Sequence, residues 1–163
     1  SELLNEISEI YESKILPIPI SFANSVSDLV TIDEFFNVDR NEYNLMNQVN
    51  DPRELVRKID RCKVVLTGSY HAGVFALSRG IPVVALIGSR YYYYKFSGLA
   101  YQFKEGCYII KYSSDNFIEE LRFALIESVS IQKDIEFNLI NRAYMQMELS
   151  KNTWNNFLNV DSN

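Results

Sequence analysis

Blocks of apolar residues at helical spacing alternate along this chain with shorter continuous apolar runs. The helical spacing predicts amphipathic helices, and the continuous runs predict strands buried on both faces. The run at 14–20 contains two prolines, so we expect that strand to end near Pro17, because proline removes a ladder donor.

The first third of the chain is thus predicted to form a helix at 2–13, a strand at 14–20, a polar loop at 21–27, a short helix at 28–36, and a loop with one weak strand at 37–50. The remainder is predicted to form a helix from 51, a strand at 63–67, a helix at 70–79, a strand at 82–87, a helix at 91–103 that could break at Gly98, a strand at 107–110, and helices at 115–128 and 131–157. Asp51 is the expected cap of its helix, Pro52 suits the first helical position, and Gly80 ends the helix before it.

Strands that alternate with helices predict an α/β fold with an open, mostly parallel sheet covered on both faces, hence three α/β/α layers. A length of 163 residues is that of a single domain, here 1–163. Ligands of such sheets bind beyond the carboxyl ends of the strands. Three loops are expected at that edge, and they converge if their strands are neighbours: Ser21–Asp28, Thr67–His71 and Gly88–Tyr92.

Net charge, the length of the apolar runs and the cysteine spacing argue against several classes of function. The net charge of −5, without a basic patch, argues against nucleic-acid partners. No run of 18 apolar residues occurs, so no transmembrane segment is expected. Cys62 and Cys107 lack metal-ligand spacing, which predicts two buried thiols in a reducing compartment and no metal site.

The turn Thr67-Gly68-Ser69-Tyr70-His71 carries the clearest chemistry, because it joins a buried strand to a helix. Free backbone N–H groups at such a turn favour a phosphate or a carboxylate. Ser69 could cap the helix or donate to the anion. His71, the only histidine, could act as a general acid or base, or it could support the fold through a hydrogen bond within the helix.

The other two loops offer further candidates. Gly88 lets the backbone approach a ligand, and Ser89, Arg90 and Lys95 could bind a negative group or be ordinary solvated side chains. Asp28 could act as a base, or serve only as a helix cap. The tyrosine run 91–94 could stack on a sugar or a base, or pack with some of its rings inward.

Residues 62–86, with Ser89 and the segment Lys95-Phe96-Ser97-Gly98-Leu99, resemble the polysaccharide pyruvyl transferase family. The resemblance lies in a strand, a Ser-x-x-His turn, a small-residue helix with Phe-Ala, and Gly-x-Pro-Val before the next strand. The Asp-Pro-x-Glu-Leu helix start at 51–55 also fits. The likeness runs from about residue 10 to about residue 130.

The resemblance implies the C-terminal Rossmann-like domain of a GT-B-type cytoplasmic enzyme, which could act at the inner face of the membrane. Such an enzyme transfers a pyruvyl group from phosphoenolpyruvate to a sugar of a cell-surface polysaccharide or exopolysaccharide. His71 and Asp28 would be catalytic, and Gly68, Ser69, Tyr70, Gly88, Ser89, Arg90 and Lys95 would hold the donor. No cofactor beyond phosphoenolpyruvate is implied. The chain does not begin with methionine, so we expect a piece of a longer protein, with the N-terminal domain elsewhere and no activity alone.

One position departs from the family pattern. Members often carry arginine where this chain has Ser69. The loss of such a charge from an anion site is not a conservative change, so Arg90 or Lys95 could substitute for it, or the donor could differ. Two alternatives stay open: a nucleotide-sugar-dependent GT-B glycosyltransferase or epimerase, and a non-catalytic binding module in which His71 is structural.

Overall fold

The computed structural model describes residues 2–19 and 52–160, with side chains at 2–19 and 53–155. The chain divides into two compact units, Ser1–Cys62 and Lys63–Asn163. The predicted loop, helix and weak strand between 21 and 50, including Asp28 and its loop, lie outside the described residues, as does Asp51.

The first unit contains helices α1 (Glu2–Ile10) and α2 (Pro52–Ile59). The prediction of a strand at 14–20 is wrong for the described residues 14–19, which adopt no regular structure. Pro17 and Pro19 have no N–H to donate to a ladder, and that lack outweighs the apolar character of the run. Helix α1 ends at Ile10, short of the predicted residue 13, and Glu12 follows with a positive φ of 45°.

The second unit alternates strands and helices: β1 (Val65–Thr67), α3 (Tyr70–Ser78), β2 (Val83–Ile87), α4 (Arg90–Phe103), β3 (Cys107–Lys111) and α5 (Phe117–Val160). Among the described residues the sheet has three parallel strands in the order β1-β2-β3. The register pairs Leu66 with Val84 and Ala85 with Ile109. These observations confirm the α/β class and bring the carboxyl ends of all three strands to one edge.

Burial explains why this order of elements is stable. Val83, Val84 and Ala85 of the central strand are fully buried, as a strand covered on both faces requires. Helix α3 buries small residues against its neighbours, and α3 ends where Gly80 takes a left-handed φ of 79°. Helix α4 contacts α3, and it continues through Gly98 without the break considered from the sequence.

Helix α5 is a single helix of 44 residues rather than the two predicted at 115–128 and 131–157. No Gly or Pro separates those two segments. Ser130, which lies between them, is accommodated within the helix, because its hydroxyl donates to the carbonyl of Ile126 at 2.8 Å. The helix contacts β2, β3 and α3, and Leu139 on it is fully buried. The prediction of a long C-terminal helix is therefore confirmed.

Candidate active site

The turn between β1 and α3 is shaped by its own short-range bonds. The Ser69 N–H donates to the Thr67 hydroxyl oxygen at 2.9 Å, which closes the turn directly after the strand. Ser69 stands at the N-cap position of α3, but its hydroxyl makes no capping bond. A hydroxyl in this place is available to a ligand. Gly68 lies beside the sheet, where a Cβ would come to 3.4 Å from the carbonyl oxygen of Leu86.

His71 lies in the first turn of α3 and is exposed. Its ring meets that of Tyr70 edge to face, with 5.9 Å between the centroids. No hydrogen bond involves the His71 ring within the parts of the chain that the structure describes. This ring is not the buried, satisfied histidine that a purely structural role would call for.

Lys95 reaches the turn from the neighbouring helix. Its Nζ lies 5.1 Å from the ring centroid of Tyr70 and 4.8 Å from that of Tyr91. Tyr70 is in turn held by the fully buried Phe96, edge to face at 5.9 Å. Interaction with the side chain of Tyr91 raises the pKa of Lys95, so the ammonium remains charged. The ammonium of Lys95, on α4, thus lies next to Tyr70 at the start of α3.

Two side chains of the loop after β2 and the start of α4 have local partners. The Ser89 hydroxyl accepts a bond from the Tyr92 N–H at 3.4 Å and so serves as the N-cap of α4. The Arg90 guanidinium donates to the Tyr94 hydroxyl at 2.9 and 3.1 Å, one helical turn along α4. A Cβ on Gly88 would meet only ordinary contact, with Tyr112 at 3.6 Å. Ser89 and Arg90 therefore have local structural partners, whereas Lys95 faces the turn.

The tyrosine run corrects one expectation and reveals one missed residue. All four rings at 91–94 are exposed, so none of them packs inward. The contact of Tyr91 with Lys95 is an addition to the sequence-based expectations, although their spacing of four residues on one helix predicts it. That spacing is the signal that could have identified it.

The two cysteines are free and half-buried rather than buried. Burial raises the pKa of Cys107 to about 12, and burial also raises the pKa of Cys62, against a smaller opposing effect of Arg61. Neither thiol has the character of a nucleophile at neutral pH. Within the described ranges, no group of three or more His, Cys, Asp or Glu side chains could hold a metal ion. Nor is any helix described there long and apolar enough to cross a membrane.

The second unit is a parallel α/β domain in which a histidine and a lysine both contact Tyr70, at the turn that follows β1. The sequence model of the polysaccharide pyruvyl transferase family matches residues 1–90. This chain belongs to that family, a family of transferases. No curated protein and no solved structure matches the chain.

Proposed function

We propose that this chain is the C-terminal Rossmann-like half of a GT-B-type enzyme that transfers a pyruvyl group from phosphoenolpyruvate to a saccharide. The observation that carries the proposal is the exposed His71 in the first turn of α3, whose ring contacts Tyr70, the same tyrosine over which the ammonium of Lys95 lies. Membership of the family supports a transferase that acts in polysaccharide biosynthesis.

The donor is an anion that this turn is suited to hold. Phosphoenolpyruvate carries a phosphate and a carboxylate, and the first N–H groups of a helix attract such groups. Lys95 supplies the positive charge that relatives often obtain from an arginine at the position of Ser69. The Ser69 hydroxyl, which makes no capping bond, provides one further hydrogen-bond donor.

The proposed reaction converts phosphoenolpyruvate and two sugar hydroxyls into a pyruvate ketal and inorganic phosphate. Two hydroxyls of the sugar form two C–O bonds to C2 of phosphoenolpyruvate, and the bond from C2 to the phosphate oxygen breaks. One hydroxyl proton ends on C3, which becomes a methyl group, and the other leaves with inorganic phosphate. We assign to His71 the transfer of a proton between these partners, because imidazole is a common general acid and base. Asp28, outside the described residues, remains a second candidate base.

We propose that the whole enzyme acts in the cytoplasm. A second domain of the enzyme would complete its active-site cleft. The test is calorimetric titration of phosphoenolpyruvate and of nucleotide-sugars into the full-length protein. We expect phosphoenolpyruvate to bind, and Lys95→Gln to weaken it about tenfold, the scale of one charge-assisted contact. His71→Ala should abolish release of inorganic phosphate in the presence of a saccharide acceptor.

Lys104→Gln is the matched control, since Lys104, the C-cap residue of α4, also lies over a tyrosine ring, 3.6 Å from the centroid of Tyr101. It should bind phosphoenolpyruvate like the wild type. A preference for nucleotide-sugars would favour the glycosyltransferase or epimerase alternative. Equal effects of the two lysine substitutions would contradict the assignment of Lys95.

A further inference from the structure

A groove of about 560 Å³ runs along the edge of β3 that no other strand of the described residues pairs with, and none of its lining residues belongs to the turn that holds His71. We call it the edge groove and define it by Tyr93, Tyr108, Lys111, Ser114, Glu120 and Phe123. Its volume falls within the range of about 300–1,000 Å³ that is typical of small-molecule sites. Strand β3 forms its floor, Tyr93 of α4 forms one wall, and Phe123 of α5 forms another.

The floor presents main-chain hydrogen-bonding groups. The Val83 N–H donates to the Gly106 carbonyl at 2.7 Å, and the Tyr112 N–H donates to the Ile87 carbonyl at 3.1 Å. Because alternate residues of a strand bond to a given parallel neighbour, Tyr108 and Ile110 face β2 with their N–H and C=O groups. The main-chain groups of Ile109 therefore point away from β2, where Ile109 lines the edge groove.

The walls present flat apolar rings. Phe123 is 64% exposed and Tyr93 is 38% exposed, although rings of this size usually bury most of their surface. Tyr108 adds a hydroxyl, and burial together with the negative charge of Glu127 raises its pKa. That hydroxyl therefore remains protonated and can both donate and accept.

Two charged groups of opposite sign are held in place beside these rings. The Glu120 carboxylate accepts a hydrogen bond from the Ser114 hydroxyl at 2.8 Å. The Lys111 ammonium lies 4.8 Å from the ring centroid of Tyr93. The opposite charges leave the edge groove without a strong net charge, which does not favour a polyanion such as a nucleoside diphosphate. Preorganised polar groups of this kind favour binding because less ordering is needed.

We propose that the edge groove binds a short segment of saccharide chain. A sugar ring offers a flat face of C–H groups that stacks on an aromatic ring, and hydroxyls that both donate and accept hydrogen bonds. The rings of Phe123 and Tyr93 match the first property. The main chain of Ile109, the Glu120 carboxylate and the Tyr108 hydroxyl match the second. The proposal rests on the proposed function, since the polysaccharide that receives the pyruvyl group supplies such a segment beyond the reacting sugar.

A peptide strand added to β3 fits this edge less well. The strand has five residues and ends in Lys111, and short edge strands that carry lysine are how proteins prevent strand addition. The carbonyl of Lys111 already accepts the N–H of Ser114 at 3.0 Å, which closes that end of the edge.

The experiment applies the full-length protein to a printed array of defined oligosaccharides, with and without pyruvate ketals, and measures affinity for the glycans retained. We expect Tyr93→Ala and Phe123→Ala each to weaken glycan binding about tenfold, the scale of one aromatic contact. The controls Tyr101→Ala and Phe137→Ala remove rings of the same two helices that are 74% and 72% exposed outside the groove, and they should bind as the wild type does. Failure of the wild type to bind any glycan, or equal behaviour of groove and control variants, would overturn the proposal.

The donor site is tested separately, by titration of phosphoenolpyruvate into the wild type. Donor binding together with glycan binding that ignores the groove variants would reject the groove and leave the proposed function standing. Glycan binding that depends on Tyr93 and Phe123, without any donor binding, would support the groove and reject phosphoenolpyruvate as the donor.

Discussion

The contact between α3 and α4 that brings Tyr70 to Lys95 depends on a glycine. A Cβ placed on Gly73 would lie 2.9 Å from Cε1 of Phe96, closer than carbon atoms pack, and 3.5 Å from Cδ2 of Leu99. The Phe96 ring is fully buried, so it has little room to withdraw. Gly73→Ala therefore tests whether the two helices approach as closely as the structure shows.

Two opposing effects determine the size of the change. Alanine is preferred to glycine inside a helix by about 1 kcal/mol. Overpacking of a filled core costs about 1–3 kcal/mol. We expect the overpacking to exceed the gain, so that Gly73→Ala lowers the free energy of unfolding by roughly 1 kcal/mol.

Gly98→Ala is the matched control, because it makes the same change within α4 where nothing lies within 4 Å of the added Cβ. Only the helix preference acts there, so this variant should gain about 0.5–1 kcal/mol. Urea denaturation followed by circular dichroism measures both, and thermal unfolding should separate the two by several degrees. A Gly73→Ala protein as stable as Gly98→Ala would refute the reasoning about the α3–α4 contact.

Three further outcomes follow from the second unit. Gly80→Ala should cost at least about 2 kcal/mol, because it combines a left-handed φ of 79° with a Cβ only 2.7 Å from Cγ of Glu136, and a near-neutral melting temperature would contradict this. Leu139→Ala should cost about 2–5 kcal/mol in urea denaturation, whereas Phe137→Ala, 72% exposed on the same helix, should change stability by less than about 0.5 kcal/mol. Burial raises the pKa of Cys107 in the folded protein to about 12 from the ordinary 9.0. Between these two pH values the unfolded thiol ionises while the folded thiol stays protonated. The contribution of Cys107 to stability is therefore complete below about pH 9 and is lost between about pH 9 and 12. Alkylation by iodoacetamide, mapped by mass spectrometry, should accordingly be slow at Cys107 until urea unfolds the chain, and labelling at the unfolded rate would reject this account.

The sequence was sufficient for the elements that have strong local signals. The alternation from β1 to β3 follows from continuous apolar runs separated by amphipathic segments, and Gly80 ends α3 because only a residue tolerant of positive φ suits that position. The strand expected at 14–20 does not form in residues 14–19, since apolar character cannot replace the N–H groups that Pro17 and Pro19 lack.

The sequence predicted where the candidate site lies in the fold, but it did not predict which side chains contact one another there. The order of strand, turn and helix put His71 at the carboxyl edge of the sheet, yet periodicity does not say which side chain also contacts a neighbouring helix. Arg90 and Lys95 both contact a tyrosine four residues away on α4, but only Lys95 also lies over a ring of α3, that of Tyr70. The edge groove had no local signal at all, since Tyr93, Glu120 and Phe123 meet only through the packing of α4, α5 and β3.

The most direct test of the central claim is a crystal structure of the full-length protein with phosphoenolpyruvate bound. Our account predicts the phosphate or the carboxylate within about 3 Å of the first N–H groups of α3 and of the Lys95 ammonium, with the His71 ring against the donor. A donor bound elsewhere, with the first turn of α3 and Lys95 both free of ligand, would contradict it.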